Sequence, residues 1–259
     1  MRIKNAPQLA AWLPQIKEPI NSYLSRYVRA LAAQEESLPP EAWASAVTAI
    51  YSGQPILLTA KHVLDRLAGR RLLLEGPNHF QHIPVAPDSL AANEAADAVA
   101  IRLPPQSLDW GIQFLVLDMQ QEPALAVGDM EIFVAMGFPT RETERHVQQR
   151  QLALTSVSYW TFEHHDGCRL LRRSASDCLA IKYDRERSFQ YGTQRNLKKP
   201  HGMSGGALWR LWGPVTEPPS LSRHALAGVL TEYHESPAKF MLSARVSVAQ
   251  SLGAQLIRS

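Results

Sequence analysis

Apolar side chains recur every three or four residues between positions 7 and 34, which is the spacing of an amphipathic helix. They are Leu9, Trp12, Leu13, Ile16, Ile20, Tyr23, Leu24, Tyr27, Val28 and Leu31. Pro7 and Pro19 suit the starts of helices, and Pro14 indicates a break or kink between two helical pieces. The pattern predicts an N-terminal helical extension over residues 1–40. This extension either packs on the rest of the chain or offers a docking surface to a partner protein.

From about residue 44 the apolar positions form short alternating runs. Runs such as AVAIRL, EIFVAM and ALAGVLTEY are separated by Gly, Pro, Asn and Asp, and no helix-length pattern alternates with them. This arrangement predicts an antiparallel all-β sandwich or barrel rather than a parallel α/β sheet. Residues 245–257 place Val248, Leu252 and Leu256 four apart, which predicts a closing helix.

The composition limits the class of protein and its partners. Of the 259 residues 45% are hydrophobic, which is enough for a substantial core. The net charge of +3 is too small to indicate a nucleic acid or an anionic membrane as a partner. Basic pairs such as Arg172 and Arg173 are therefore predicted to be solvated surface.

The N-terminal residues and the two cysteines both suggest a compartment. The N-terminus lacks the apolar run and cleavage site of a secretory signal, and no apolar stretch is long enough to span a membrane. We therefore expect a cytoplasmic protein. Cys168 and Cys178 fit this compartment because thiols stay reduced there, whereas a hairpin disulfide would need export.

Three short motifs carry residues suited to acyl transfer. His62 follows the strand-like run ILLTA, Asp97 precedes AVAIRL, and Ser204 lies within GMSGG. A serine hydroxyl is a poor nucleophile at neutral pH, so it needs a base to take its proton and an acid to orient that base. Glycines beside the serine let backbone N–H groups reach the oxygen of the attacked carbonyl, and the amides of Gly202 and Ser204 are the expected donors.

These motifs resemble those of the chymotrypsin-like serine proteases, and in particular the bacterial trypsin-like peptidases without disulfides. Residues 59–62 match the family's T-A-x-H pattern, residues 97–101 match its D-x-A-hydrophobic pattern loosely, and residues 202–206 match G-x-S-G-G in full. The order of His, Asp and Ser along the chain is also that of the family. The resemblance covers roughly residues 44–250.

The resemblance implies an all-β fold of two six-stranded antiparallel β-barrels with the active site between them. The protease domain would span residues 41–259 and end in the predicted helix. The first barrel, about 41–120, would supply His62 and Asp97, and the second, about 121–244, would supply Ser204.

The resemblance also implies an intracellular serine endopeptidase that needs no cofactor or metal and acts on proteins or peptides. His62 would act as base and then acid, Asp97 would hold its tautomer, and Ser204 would attack the carbonyl. Thr231, Glu232 and Tyr233 would pair with an extended substrate through main-chain hydrogen bonds.

Several positions depart from the family pattern. Met203 replaces the aspartate that pairs with a freed N-terminus in digestive members, so that activation switch cannot operate. Constitutive activity, or control by a partner, a cofactor or loop ordering, is expected instead. Lys61 replaces an alanine beside His62 and is expected to point to solvent.

Lys198 and His201 fall where the family forms its specificity pocket, which would favour an acidic substrate side chain. The alternative is that these residues belong to a solvated loop.

Three other interpretations fit parts of the sequence. Residues 202–206 also satisfy the G-x-S-x-G elbow of α/β-hydrolases, but the chain after Ser204 contains no Asp and the pattern is poor in helices. A metal site could draw on residues 164–168 and Cys178, but adjacent strand residues face opposite ways, which favours a hairpin tip. A catalytically silent protease-like module that binds a protein stays open as the alternative function.

Overall fold

The computed structural model describes residues 6–36, 38–140, 144–146, 151–154, 156–183, 200–236 and 238–258. The helices are α1 (Ala6–Leu24), α2 (Lys61–Asp65), α3 (Gly167–Leu170) and α4 (Val246–Arg258). The strands are β1 (Val28–Gln34), β2 (Glu41–Tyr51), β3 (Gln54–Ala60), β4 (Arg71–Glu75), β5 (Phe80–Ile83), β6 (Leu90–Asn93), β7 (Ala98–Arg102), β8 (Leu115–Val116), β9 (Asp129–Gly137), β10 (Glu144–His146), β11 (Gln151–Ala153), β12 (Val157–Thr161), β13 (Cys178–Lys182), β14 (Ala207–Pro214), β15 (His224–His234) and β16 (Phe240–Arg245).

Two curled sheets carry most of these strands. The first has the order β5-β4-β1-β2-β3-β7-β6, with β8 added in parallel beside β2, and the second has the order β12-β9-β14-β15-β16-β13. The predicted all-β architecture with helices at both ends is confirmed. The prediction of six strands holds for the second sheet but is wrong for the first, which gains β1 and the short β8.

The N-terminal segment is only partly helical. Helix α1 runs through Pro14 and Pro19 as one element and ends at Leu24. The predicted helix is wrong beyond this residue, because Val28–Gln34 forms β1 between β2 and β4. Residues on both faces of β1 are buried, and burial on both faces produces a continuous apolar run that helical spacing also fits.

Helix α1 packs on the rest of the chain, the first of the two alternatives for this segment. Leu13 and Leu24 are buried in the core cluster that contains residues of both sheets. The indole N–H of Trp160 donates to Asn21 Oδ1 at 3.3 Å, and the ring of Tyr23 meets the ring of His224 edge-on at 5.4 Å. The helix therefore contributes apolar surface to the common core.

Helix α4 joins the two sheets at the other end of the chain. It contacts β6 and β7 of the first sheet and β15 of the second. Gly253 lies so close to the ring of Tyr51 that an added Cβ would stand 2.7 Å from Tyr51 Cγ. Among the helices in the described part of the chain, none has the length and apolarity to cross a membrane.

The two cysteines form a disulfide, so the expectation of reduced thiols is wrong. Cys168 lies in α3 and Cys178 begins β13, and their Cα atoms are 6.4 Å apart. Helix α3 folds back on β13, with the amide of His164 donating to the carbonyl of Ala180 at 2.8 Å. The expectation rested on compartment alone, whereas this fold-back brings the side chains within the Cα separation that disulfides require.

If α1 is an integral part of the core, truncating its most buried side chain will destabilise the whole protein. Leu24 is 0% exposed, so Leu24→Ala is expected to lower the free energy of unfolding by about 2–5 kcal/mol, from lost burial plus the cavity. Ile257→Ala in α4 removes a side chain that is 47% exposed and is expected to stay within about 0.5 kcal/mol. Urea unfolding measures both, and equal midpoints would contradict the packing role of α1.

Candidate active site

The pairing of β3 with β7 brings His62 and Asp97 together. Ala60 at the end of β3 pairs with Ala98 at the start of β7, so the residue after one strand lies beside the residue before the other. Asp97 Oδ2 lies 2.6 Å from His62 Nδ1, and Asp97 Oδ1 accepts from the backbone N–H of His62 at 2.9 Å. The backbone N–H of Lys61 donates to the Asp97 carbonyl at 2.9 Å. Two contacts thus hold the carboxylate against His62, and a third fixes the Asp97 backbone.

Asp97 adopts a left-handed backbone conformation. Its φ of 51° is unusual for a residue with a side chain and costs on the order of 1 kcal/mol. The hydrogen bonds to His62 and Lys61 offset this cost, and the side chain of Asp97 is only 16% exposed. A strained residue held by its partners is common at functional sites.

The ammonium group of Lys61 binds carboxylates on the outside of this loop. Its Nζ lies 2.8 Å from Asp65 and 3.2 Å from Glu94. These hydrogen bonds, first to Asp65 and then to Glu94, raise the pKa of Lys61 above its usual value. The positive charge next to His62 in the sequence is therefore paired away from the imidazole.

Residues 200–206, here named the Ser204 loop, are held by both sheets. From the first sheet, the amide of Ser45 donates to the Ser204 carbonyl at 2.9 Å. From the second, Gly205 donates to the Leu230 carbonyl and the Leu230 amide donates to Gly206, both at 2.7 Å. The loop therefore sits at the junction of the two sheets.

Two glycines of this loop have positive φ and no room for a side chain. Gly202 has φ 94°, and an added Cβ would stand 2.7 Å from both Phe138 O and Thr140 N. Gly205 has φ 86°, and an added Cβ would overlap the Ser45 carbonyl and the Thr59 hydroxyl. Only glycine fits at either position.

The predicted oxyanion donors are unused by the described part of the chain. Neither the amide of Gly202 nor that of Ser204 donates to a described residue, whereas the intervening Met203 amide donates to Pro200 at 3.0 Å. Gly202 and Ser204 both line the same cleft. Two free N–H groups on either side of one residue can both bind one anionic oxygen.

A cleft of about 430 Å³ contains most of the predicted residues. Its lining consists of Trp43, His62, Val63, Arg66, Thr140, Pro200, His201, Gly202, Ser204, Thr231, Glu232, Tyr233 and His234. The hydroxyl of Ser204 donates to the Thr231 carbonyl at 3.2 Å. Within the described residues Ser204 makes no hydrogen bond to His62. Lys198 lies outside the described residues.

The predicted substrate-pairing residues lie at an irregularity of β15. The register with β16 shifts between Leu230 and Tyr233, which leaves Thr231 and Glu232 outside the regular ladder. Such a bulge frees backbone groups from the sheet. Tyr233 itself lines the cleft, and its phenol donates to Glu235 at 3.1 Å.

The sequence prediction missed Arg173, which links the two halves of the site. Its guanidinium donates to the Ala95 carbonyl at 2.6 Å, in the loop before Asp97, and to Glu232 at 2.8 Å. His234 Nε2 lies 2.9 Å from the other oxygen of Glu232. Arg173 was predicted to be solvated surface, and no local signal in the sequence indicates a contact across 78 residues.

The fold is similar to that of two solved proteases. A serine endoprotease from Yersinia pestis matches with a TM-score of 0.54 and 14% sequence identity, over 92% of this chain and 65% of that one. The active form of the Rv3671c protease from M. tuberculosis matches with a TM-score of 0.51 and 12% identity, over 93% and 85% of the two chains. This chain therefore spans less than two thirds of the Yersinia pestis chain.

The sequence matches no protein-family model and no curated protein. The structural likeness nevertheless shows the chymotrypsin-like fold that the motifs predicted.

A side chain at Gly205 is expected to disrupt the Ser204 loop. Gly205→Ala introduces a positive-φ strain of about 1–2 kcal/mol. The added methyl group would also overlap the Ser45 carbonyl oxygen and the Thr59 hydroxyl oxygen, neither of which can move far. Gly128→Ala is the matched control, since Gly128 has φ 96° but nothing within 4 Å of the added Cβ. Thermal unfolding should show the larger loss for Gly205→Ala. Equal losses would mean that the close packing around Gly205 has no energetic weight.

Proposed function

We propose that this chain is a serine endopeptidase that cleaves peptide bonds through an acyl-enzyme on Ser204. The observation that carries the proposal is the pairing of Asp97 with His62 at 2.6 Å beside Ser204 and beside two amides that donate to no described residue. The fold, which is similar to that of serine endoproteases, supports the same conclusion.

Each residue has a role that follows from its contacts. His62 donates its Nδ1 proton to Asp97, which leaves Nε2 as the base that takes the proton of Ser204 as Oγ attacks the carbonyl carbon. The amides of Gly202 and Ser204 then bind the oxyanion. The imidazolium returns its proton to the leaving amine, and a water molecule repeats the sequence to release the acyl group.

The hydrogen bond between Ser204 and Thr231 suggests how substrate aligns the nucleophile. The Thr231 carbonyl accepts from the Ser204 hydroxyl and sits on the segment proposed to pair with an extended substrate. A substrate N–H that binds this carbonyl competes with the hydroxyl. Release of the hydroxyl lets it turn to His62, so substrate binding and alignment of the nucleophile would occur together.

A protease-like module that binds protein without cleaving it is the second candidate. The absence of a Ser204–His62 hydrogen bond among the described residues is the observation that favours it. Every residue that the reaction needs is nevertheless retained.

The location and the partner stay predictions. A Cys168–Cys178 disulfide counts against a cytoplasmic location, because such bonds persist mainly in oxidising compartments. An activating protein partner would act on a surface other than the buried face of α1. Thiol titration of the protein purified from its native host would test the location. Co-purification from the same host would test for the partner.

A fluorophosphonate probe distinguishes the enzyme from the silent module. The wild-type protein is expected to take up the probe at Ser204 and to cleave an unfolded protein, whereas Ser204→Ala should lose both, with a rate loss on the order of a millionfold. Ser251→Ala removes an exposed serine of α4 and should behave like the wild type. Absence of labelling in the wild type would contradict the catalytic proposal.

The proposed specificity is an acidic side chain before the cleaved bond. His201 lines the cleft and supports this preference, to which Lys198 would also contribute. Peptides that differ only in Glu or Arg at that position are expected to differ at least about tenfold in kcat/KM in favour of Glu. Faster cleavage of the Arg peptide would overturn the pocket assignment and leave the catalytic proposal intact.

A further inference from the structure

Ser45 is a buried serine of the first sheet whose polar atoms bind the Ser204 loop. It lies in β2, is 0% exposed, and belongs to none of the motifs that the sequence suggested. Its hydroxyl donates to the Gly202 carbonyl at 2.8 Å and accepts from the Phe138 amide at 2.8 Å. One hydroxyl thus connects the end of β9 with the loop that carries Ser204.

The Gly202 carbonyl is one of two carbonyls that set the orientation of this loop. The other, that of His201, accepts from the Thr140 amide at 2.9 Å. In a trans peptide the C=O and N–H groups point in opposite directions, so a carbonyl held on Thr140 directs the Gly202 N–H away from it. The two peptides that flank Gly202 are therefore both held by hydrogen bonds.

Glycine makes these hydrogen bonds necessary. Gly202 has no Cβ and can adopt many backbone torsions, so its φ of 94° is not selected by its own sterics. The turn closed by the Met203 amide on the Pro200 carbonyl, the hydroxyl of Ser45 and the amide of Thr140 together hold it.

Filling the core does not explain Ser45. A buried hydroxyl needs a partner, and a single local carbonyl usually suffices. The Ser45 hydroxyl instead uses both its donor and its acceptor on two separate backbone segments of the second half of the chain. An alanine methyl group would fill the same space and satisfy neither segment.

We propose that Ser45 is a positioning residue for the oxyanion-binding amides. Its hydroxyl holds the Gly202–Met203 peptide, which lies between the two peptides that carry the Gly202 and Ser204 N–H groups, so that both N–H groups face the same point in the cleft. The inference rests on the proposed function, because it assigns Ser45 to the same site. An interaction with the oxyanion exists only in the transition state, so loss of the hydroxyl is expected to lower kcat and leave KM nearly unchanged.

The test compares Ser45→Ala with Thr48→Val. Thr48 lies in the same strand, is also 0% exposed, and its hydroxyl donates to the Gln113 carbonyl at 2.6 Å, away from the Ser204 loop. Both variants lose one buried hydroxyl and are expected to unfold at a lower temperature. Only Ser45→Ala is expected to lower kcat, by on the order of 10- to 100-fold, since deletion of a whole oxyanion donor costs somewhat more.

The affinities for a peptide aldehyde and for a peptide product distinguish misplaced oxyanion-binding amides from a cleft that is distorted as a whole. The aldehyde forms a tetrahedral adduct with Ser204, so its inhibition constant should rise for Ser45→Ala in parallel with the loss in kcat, whereas affinity for the product should not change. Should Ser45→Ala fail to fold, Ser45→Cys keeps the shape with a weaker donor and is expected to lower kcat as well.

The outcomes separate this inference from the proposed function. An active wild type with equal kcat for the Ser45 and Thr48 variants overturns the positioning role alone. Parallel loss of kcat and of product affinity also overturns it, because that result indicates a distorted cleft. An inactive wild type that the probe does not label overturns both proposals.

Discussion

The geometry of the candidate site depends on backbone hydrogen bonds that reach the Ser204 loop from both sheets. Ser45 of β2 binds the Ser204 carbonyl, and Leu230 of β15 exchanges hydrogen bonds with Gly205 and Gly206. Each such bond contributes only about 1 kcal/mol net, but a buried amide or carbonyl left without its partner costs more. The loop therefore keeps its shape only while the two sheets are packed together, and the site cannot form in either half alone.

The same packing aligns the other residues. His62 and Asp97 come from adjacent ends of β3 and β7, so their contact is a consequence of strand pairing within the first sheet. Their position relative to Ser204 depends on the core that the two sheets share with α1 and α4. Arg173 adds a polar connection, since it binds the loop before Asp97 and the cleft wall at Glu232. Local pairing makes the His–Asp contact, and tertiary packing brings it to the serine.

Features of the fold and site that depend on residues close together in the sequence could be predicted, whereas features that depend on contacts between distant segments could not. The motifs around His62, Asp97 and Ser204 were recognisable because the chemistry needs particular residues beside a strand end or between glycines. The two-sheet fold followed from the alternating runs. Segment Val28–Gln34 was mistaken for helix because a strand buried on both faces lacks a period of two.

Contacts between distant segments carried no local signal. The hydroxyl of Ser45 meets a carbonyl 157 residues away, and the guanidinium of Arg173 meets one 78 residues away. In a strand such as EAWASAVTAIY a serine is ordinary, and only its neighbours across the sheets give it a role. The disulfide differs from these contacts, because a hairpin bond between Cys168 and Cys178 was visible in the sequence and was set aside on compartment alone.

Met203 bears on how the proposed activity is controlled. The residue is 2% exposed and packs in the second sheet's core with Phe133 and Met241, where digestive proteases have the aspartate of their activation switch. Burial of such a side chain contributes about 1.5–3 kcal/mol, and it is gained as the protein folds rather than on release of a new N-terminus. This burial holds the Met203 side chain of the Ser204 loop in the core of the second sheet. Under the proposed mechanism the Ser204 hydroxyl on the Thr231 carbonyl is the element that stays adjustable, and we infer that the step that prepares the nucleophile falls at substrate binding.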